Sequence, residues 1–299
     1  MPTKKAAKSN SKAKPLVGFI GQGFVGKAYA DDFENRGFSI VRYSLETPYI
    51  QNKSKIKDCD VVFIAVPTPT TSEGFDDHII RDAVKLLGKG KTAVIKSTIV
   101  PGTTLSIQNE NPDIYVFHSP EFLREVTASK DAAEPERNII GVPKDSKEHA
   151  AKAKDVMAIL PKAPFELITG AKEAELIKYA GNCFFYFKLI FANIFHDLAE
   201  KENIDWSTVK NAVAADPRIG ASHLEPVHKS GRGAGGHCFI KDFAAFSELY
   251  EKMVGDTYGV EVLESLRDKN VDLLMKSKKD LDLLTGVYGS DFLKRFKNN

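Results

Sequence analysis

The stretch that most constrains this chain is Leu16-Val17-Gly18-Phe19-Ile20 running without pause into Gly21-Gln22-Gly23-Phe24-Val25-Gly26. The apolar run reads as a buried strand, and a helical pattern follows the glycines through Arg36. Gly-x-Gly-x-x-Gly set between a strand and a helix is the arrangement that receives a dinucleotide. Gly21 makes the tight turn, Gly23 lets a pyrophosphate approach the backbone, and Gly26 allows helix and strand to pack closely. The helix N-terminus at Phe24 and Val25 receives the phosphate charge. A purely structural glycine turn has the same spacing, so the sequence around it has to decide.

Apolar runs recur at residues 38–43, 60–66, 92–97, 114–117, 138–142 and 165–169, alternating with helical segments. That alternation predicts an α/β fold, with a Rossmann-type, doubly wound, mostly parallel sheet over residues 15–170. Ligands of such sheets lie outside the carboxyl ends of the strands, where Thr68, Thr98 and Glu121 fall. Each of the three could instead be a cap or turn residue. The second strand should end in a carboxylate for the adenosine ribose, yet the chain reads Arg42-Tyr43-Ser44-Leu45-Glu46, with Ser44 in that place. Glu46 substituting from the loop gives NAD, the default; Arg42 facing a 2′-phosphate gives NADP, and Arg42 is equally a solvated strand residue.

From residue 171 the texture changes. Residues 171–202 read as one long proline-free helix, and the chain is helical from 206 onward apart from two breaks. One break is a Gly-rich loop over 218–236, longer than an ordinary connection and therefore expected to be functional or an interface. Helices are expected at 258–276 and 278–286, with a fraying basic tail over 291–299. The expected division is a tail (1–14), a nucleotide-binding domain (15–170), a connecting helix (171–203) and a helical domain (204–290). Lys178 and Asn182, four apart, share one face of the long helix. Such a lysine either snorkels to solvent or sits beside a reacting oxygen.

The loop ends in Gly233-Ala234-Gly235-Gly236-His237-Cys238-Phe239-Ile240-Lys241-Asp242. Glycines let backbone amides approach a ligand closely, and a cysteine at a helix N-terminus is expected to have a lowered thiol pKa. Lys241 adds a cation, and Asp242 falls on the same side as Cys238. The alternative is a glycine turn around a structural cysteine.

Composition excludes more than it assigns. A net charge of +2 over 299 residues suggests neither nucleic acid nor an acidic surface as partner. Cys59, Cys183 and Cys238 are odd in number and widely spaced, which argues against a disulfide framework and a metal site and for a reducing, cytoplasmic setting. No apolar run approaches the roughly 20 residues that span a bilayer. Residues 1–14 carry five lysines and no acid and are expected to be a disordered tail, with a targeting role as the alternative.

Read together, these motifs resemble the UDP-glucose/GDP-mannose dehydrogenase family over about residues 16–270. The resemblance rests on the glycine fingerprint, Val66-Pro67-Thr68-Pro69, Lys96-Ser97-Thr98, Ser119-Pro120-Glu121-Phe122-Leu123-Arg124-Glu125, Lys178 with Asn182, Arg218-Ile219-Gly220, and Gly235-Gly236-His237-Cys238-Phe239-Ile240-Lys241-Asp242. It implies oxidation of a nucleotide-sugar C6 alcohol to the acid with two NAD in succession, through a thiohemiacetal and a thioester on Cys238. It further implies that Lys178 and Asn182 stabilise the oxyanion, that Asp242 with a water moves the proton, and that Glu121 and Thr98 assist thioester hydrolysis. Pro67, Thr68, Thr98 and Lys241 would join the glycine loop and Ser44 around the cofactor. Phe122, Leu123, Arg124, Glu125 and Gly235 would follow the substrate. Arg218 would reach the partner's substrate across a homodimer built on the long helix.

There are departures. Members of the family continue for about another hundred residues into a second Rossmann-like domain that binds the nucleotide, and nothing after Asn270 resembles it. His237 and Ile240 replace the commonest small residue and proline of the cysteine loop. The expectation is a short-form nucleotide-sugar 6-dehydrogenase, with UDP-glucose as its substrate. The alternatives are a two-electron hydroxy-acid dehydrogenase, which gives Cys238 no role, and a partner-dependent or non-catalytic protein.

Overall fold

The apolar runs pair as the alternation predicts. The computed structural model describes residues 14–229 and 231–296, so all of the expected basic tail except Lys14 lies outside the described residues. The first half contains β1 (Val17–Ile20), α1 (Phe24–Asn35), β2 (Ile40–Tyr43) and β3 (Val61–Ile64), then a small hairpin of β4 (Thr70–Thr71) and β5 (Gly74–Phe75). It continues with α2 (His78–Val84), β6 (Thr92–Ile95), α3 (Thr103–Glu110), β7 (Tyr115–His118) and α4 (Ala128–Ala133). β8 (Arg137–Val142), α5 (Lys147–Ile159) and β9 (Phe165–Gly170) complete it.

Seven strands form one sheet in the order β2-β1-β3-β6-β7-β8-β9. The first five are parallel, but β8 meets β7 antiparallel through the pair His118 and Gly141, and β9 runs parallel to β8. Periodicity marks where strands are and not which way they run, so this reversal is a product of the tertiary structure. Side chains alternate across the sheet. Phe19, Phe63, Val94 and Phe117 pack on one face with Phe33 of α1 and Val156 of α5. Val62, Ile64, Ile95 and Val116 pack on the other with Ile80 of α2 and Ile107 of α3. With both faces covered, the sheet offers its carboxyl edge to ligands, and the chain reverses its direction of strand addition between β1 and β3.

The second half hangs on α6 (Ala171–Lys201). α7 (Trp206–Ala214), the hairpin β10 (Val227–His228) and β11 (Gly231–Arg232), α8 (Gly236–Met253) and α9 (Thr257–Lys276) follow. The stretch expected as one long loop thus contains a hairpin. α10 (Leu281–Tyr288) and α11 (Ser290–Leu293) then pack Leu284 and Leu293 into a core with Ile240 and Leu274. Where the sequence suggests a fraying tail, Leu293 is buried.

Two features join the halves. Gly141 lets α6 lie directly on β8, because a β-carbon there would sit 2.6 Å from the Ala174 Cβ. Glu175 of α6, fully buried, accepts hydrogen bonds from the backbone N–H groups of Gly102 (2.6 Å) and Thr104 (2.8 Å) and from the Thr104 hydroxyl (2.5 Å). It thereby caps the first turn of α3 from the other half of the chain.

Candidate active site

The glycine fingerprint has the shape that a dinucleotide needs. Gly21 stands at φ +90°, and a β-carbon on it would fall 2.2 Å from the Ala65 carbonyl oxygen. A β-carbon on Gly26 would fall 2.0 Å from the Gly21 oxygen, so helix and turn touch there. At Gly23 nothing lies within 4 Å of such an atom, which leaves the approach to the start of α1 open. The residues present therefore fit a dinucleotide. Arg42 is not solvated. Its guanidinium donates to Asp31 Oδ1 and Glu34 Oε2 of α1, both at 2.7 Å. Ser44 accepts the Glu46 N–H at 3.3 Å and so shapes the turn after β2.

The loops at the carboxyl edge are stitched to one another. The Thr68 hydroxyl donates to the Thr98 carbonyl at 2.9 Å, and the Ser97 hydroxyl to the Val66 carbonyl at 2.7 Å. Pro67 thus lies in a loop fixed on both sides. Lys96, buried at the end of β6, donates to the Ser119 hydroxyl at 3.0 Å and stands 4.4 Å over the Tyr29 ring. Burial pushes its pKa down to about 7, with the Glu121 carboxylate opposing and Lys178 adding to the fall. His118 is also fully buried, both ring nitrogens lack partners, and burial pushes its pKa down to about 3.

α6 brings Lys178 onto this edge. Lys178 is 5% exposed, which rules out the snorkelling alternative, and its ammonium donates to both the carbonyl and the Oε1 of Glu121 at 2.8 Å. Burial by itself would lower the Lys178 pKa, but the Glu121 charge and hydrogen bond, with Asp242 behind them, raise it above the ordinary value. The ammonium stays charged. Glu121 Oε2 in turn accepts the Leu123 N–H at 2.7 Å. One turn along α6, Asn182 donates to Asp242 Oδ2 at 2.6 Å, and Lys241 donates to Asp242 Oδ1 at 2.5 Å. Asp242 is almost wholly buried, whereas Cys238, one turn earlier on α8, is exposed.

The thiol does not behave as its place at a helix start predicts. Surrounding protein desolvates it, and the Asp242 carboxylate adds to that, so the Cys238 pKa is raised although Lys178 and Lys241 pull the other way. The glycines before it are also differently employed. β-Carbons at Gly231 and Gly235 would strike Ser277 and Asp280, and one at Gly233 would crowd Asn270, so these glycines admit α9 and the turn after it. Only at Gly236 (φ +80°) is the space around the missing β-carbon clear among the glycines of 231–236.

Other predicted positions are more dispersed. Phe122 stacks under the Arg137 guanidinium at 3.7 Å, and Leu123 packs against the sheet core. Arg124 is held by Asp131 through backbone and side chain, and Glu125 faces Lys229 at 3.6 Å. Arg218 is largely exposed and pairs with Asp216. Lys188 of α6 anchors its loop by donating to the carbonyls of Ile219 (2.7 Å) and Gly220 (2.9 Å). Sequence reasoning passed over Lys279 and Asp280, which reach the cysteine loop from some forty residues away. It also noted Lys96 only as part of a motif, although a lysine closing an apolar strand was a visible signal.

Residues 42–160 match the NAD binding domain, and residues 172–272 the central domain, of the UDP-glucose/GDP-mannose dehydrogenase family. A putative UDP-glucose 6-dehydrogenase of Bacillus subtilis is 33% identical over 236 residues, which cover 75% of this chain and 54% of that protein. The chain spans about half the length of the curated relatives it matches first. The structure of a UDP-glucose dehydrogenase from Pyrobaculum islandicum superposes with a TM-score of 0.74 at 27% identity, covering 87% of this chain and 69% of that one. A 3-hydroxyisobutyrate dehydrogenase from Mycobacterium tuberculosis shares the fold, with a TM-score of 0.68 at 13% identity over 92% of this chain and 98% of that one.

Proposed function

Because the chain belongs to the UDP-glucose/GDP-mannose dehydrogenase family, we propose that it oxidises the C6 alcohol of a UDP-sugar, UDP-glucose foremost, to the acid through a covalent intermediate on Cys238. The observation that carries this reading is the convergence of a charged, buried Lys178, the Glu121 carboxylate and the Asn182–Asp242–Lys241 cluster on the side of α8 that bears the exposed thiol. UDP-glucose is put first because the curated relatives at about a third identity carry that name.

When bound, the nicotinamide ring accepts a hydride in each of two two-electron oxidations. Gly21, Gly23, Gly26 and the amides of Phe24 and Val25 would hold the dinucleotide, with Ser44, Pro67, Thr68, Thr98 and Lys241 around it. NAD is favoured over NADP because the Arg42 guanidinium is already committed to Asp31 and Glu34. In the first oxidation Asp242 takes the hydroxyl proton through a water, while Lys178 and Asn182 stabilise the developing alkoxide. The Cys238 sulfur then bonds to the aldehyde carbon, its proton leaves by way of Asp242, and Lys178 again holds the oxyanion. After the second oxidation the sulfur carries an acyl group. Water positioned by Glu121 and Thr98 attacks it, the carbon–sulfur bond breaks, and the proton returns to sulfur. A thiol held protonated in the free protein suits this order, because the thiolate is needed only once an aldehyde is beside it.

A homodimer along α6 is part of the proposal. Phe184, Phe191, Phe195 and Leu198 recur at spacings of seven, four and three, and all are exposed. A surface stripe of that kind marks an interaction face. Arg218 would reach the partner's substrate from its anchored loop. Among the described residues, no helix is long and apolar enough to cross a membrane. A cytoplasmic setting is proposed from the three cysteines, none of them in a disulfide.

The deciding experiment measures reduced nicotinamide formed from UDP-glucose by the chain and by Cys238→Ser. The reading expects two equivalents per sugar, with the reaction abolished or stalled after the first by the substitution. One equivalent, indifferent to Cys238→Ser, would instead make this a two-electron dehydrogenase on the fold it shares with the hydroxyisobutyrate enzyme.

A further inference from the structure

The groups that grip the Cys238 loop come largely from a turn beyond the matched central-domain segment, which ends at residue 272. α9 stops in a turn of the Schellman type, in which Lys278 at φ 53° donates its N–H to the Met275 carbonyl (3.1 Å) and Lys279 donates its N–H to the Leu274 carbonyl (2.9 Å). A lysine in the left-handed region is unfavourable on its own and persists where surrounding contacts fix it. The turn lays the next two side chains across the glycines. Buried Lys279 donates from Nζ to the carbonyls of Gly231 (3.2 Å) and Gly233 (3.1 Å). Asp280 Oδ2 accepts the N–H of Gly236, the first residue of α8, at 2.7 Å. Asn270 completes the grip by bonding in both directions with Ala234, at 2.7 and 3.0 Å. The absent β-carbon of Gly235 is what admits the turn, since one there would lie 2.1 Å from Asp280 Oδ2 and 2.8 Å from Lys279 Cε.

We propose that Lys279 and Asp280 are positioning residues for the reactive thiol: Lys279 fixes the path of the loop, and Asp280 sets the charge at the end of the helix that carries Cys238. The proposal rests on Cys238 being the nucleophile. Its physical basis is that the amides opening a helix form a partial positive charge, which favours a thiolate in the first turn. Here a carboxylate already occupies that end, two residues before the cysteine. The charged groups facing the thiol itself are Asp242 and Lys241 from α8, Lys178 from α6 and Glu121 from the loop after β7, whereas Asp280 acts on the helix end, with the Lys279 ammonium beside it. The helix end therefore contributes little to ionising the sulfur, and the approach of substrate to Lys178 is left as the trigger.

The test is the pH dependence of Cys238 alkylation by iodoacetamide, followed by mass spectrometry on the full chain, which requires neither substrate nor turnover. Asp280→Asn keeps an oxygen acceptor for the Gly236 N–H and removes the charge. The midpoint moves to lower pH and the rate near neutrality rises about two- to fivefold, while Asp280→Glu returns both toward the original chain. Lys279→Met strips two loop carbonyls of their donor, and amide hydrogen exchange over residues 233–238 accelerates about tenfold or more. A turn that serves stability alone would lower the unfolding midpoint of both variants and leave the Asp280→Asn alkylation profile unmoved, which overturns the proposal. If Asp280→Asn does not fold, exchange in Lys279→Met decides, and unchanged protection there overturns it too. Failure of the functional reading looks different, as turnover indifferent to Cys238→Ser with these shifts still present.

Discussion

The two sides of the candidate site are held in opposite ways. On the sheet side Lys96, Glu121 and Lys178 are charged or chargeable groups shut away from water and fixed by side-chain hydrogen bonds. On the α8 side an exposed thiol stands on a glycine loop whose backbone is gripped from outside by α9 and the turn after it. A buried charge is stable only with its partners in place, so the sheet side must be rigid before any ligand arrives. A thiol that forms and breaks bonds needs access, and its precision has to come from the backbone beneath it.

Breaking the sheet side should have the largest effect. Lys178→Met leaves the Glu121 carboxylate buried without its cation, and a stability loss of about 3–5 kcal/mol is expected in urea unfolding. Turnover with UDP-glucose should fall by about a hundredfold or more from the lost oxyanion contact. A loss of activity with unchanged stability would mean that Glu121 finds water or another donor, and the two sides would then differ less than their geometry suggests.

A medium effect is expected at Lys96. Its pKa of about 7 in the fold compares with about 10.4 in an unfolded chain, so between those values the unfolded chain binds the extra proton. Stability therefore rises as pH climbs from about 7 toward 10 and is lower on the acid side of that window. Urea unfolding at pH 7 and pH 9 should show about 2 kcal/mol more of this rise in the natural chain than in Lys96→Met. Equal slopes would show that Lys96 keeps its proton through the Glu121 field.

The smallest effect tests the α8 side. Asp242→Asn removes one of the three influences that raise the Cys238 pKa, leaving desolvation by the surrounding protein and the Glu121 carboxylate in place. The alkylation midpoint should drop, and the rate near neutrality rise by a few-fold. An unmoved midpoint would assign the elevation to desolvation and the Glu121 carboxylate.

Much of this protein could be read from its residues in order. All seven strands of the main sheet were expected, as were the glycine turn and a helix from residue 171, which ends at Lys201. The shared face of Lys178 and Asn182 was visible from their spacing, but whether the lysine was buried was not. The hairpin within residues 218–236 was missed because its strands are two residues each, too short to show a period.

Sequence by itself determined where along the chain the seven strands of the main sheet fall, the dinucleotide cradle and the residue types of the candidate site, because periodicity, turn chemistry and motif spacing act over a few neighbouring residues. Tertiary structure alone decided that β8 turns against β7, that Arg42 is taken by α1, and that Lys178 meets Glu121 in a dry setting. It also decided that the glycines before Cys238 receive Lys279 and Asp280, and that the thiol pKa goes up where local position argues down. Desolvation and the sum of nearby charges depend on which distant segments share a space, and that information exists only once the chain has folded.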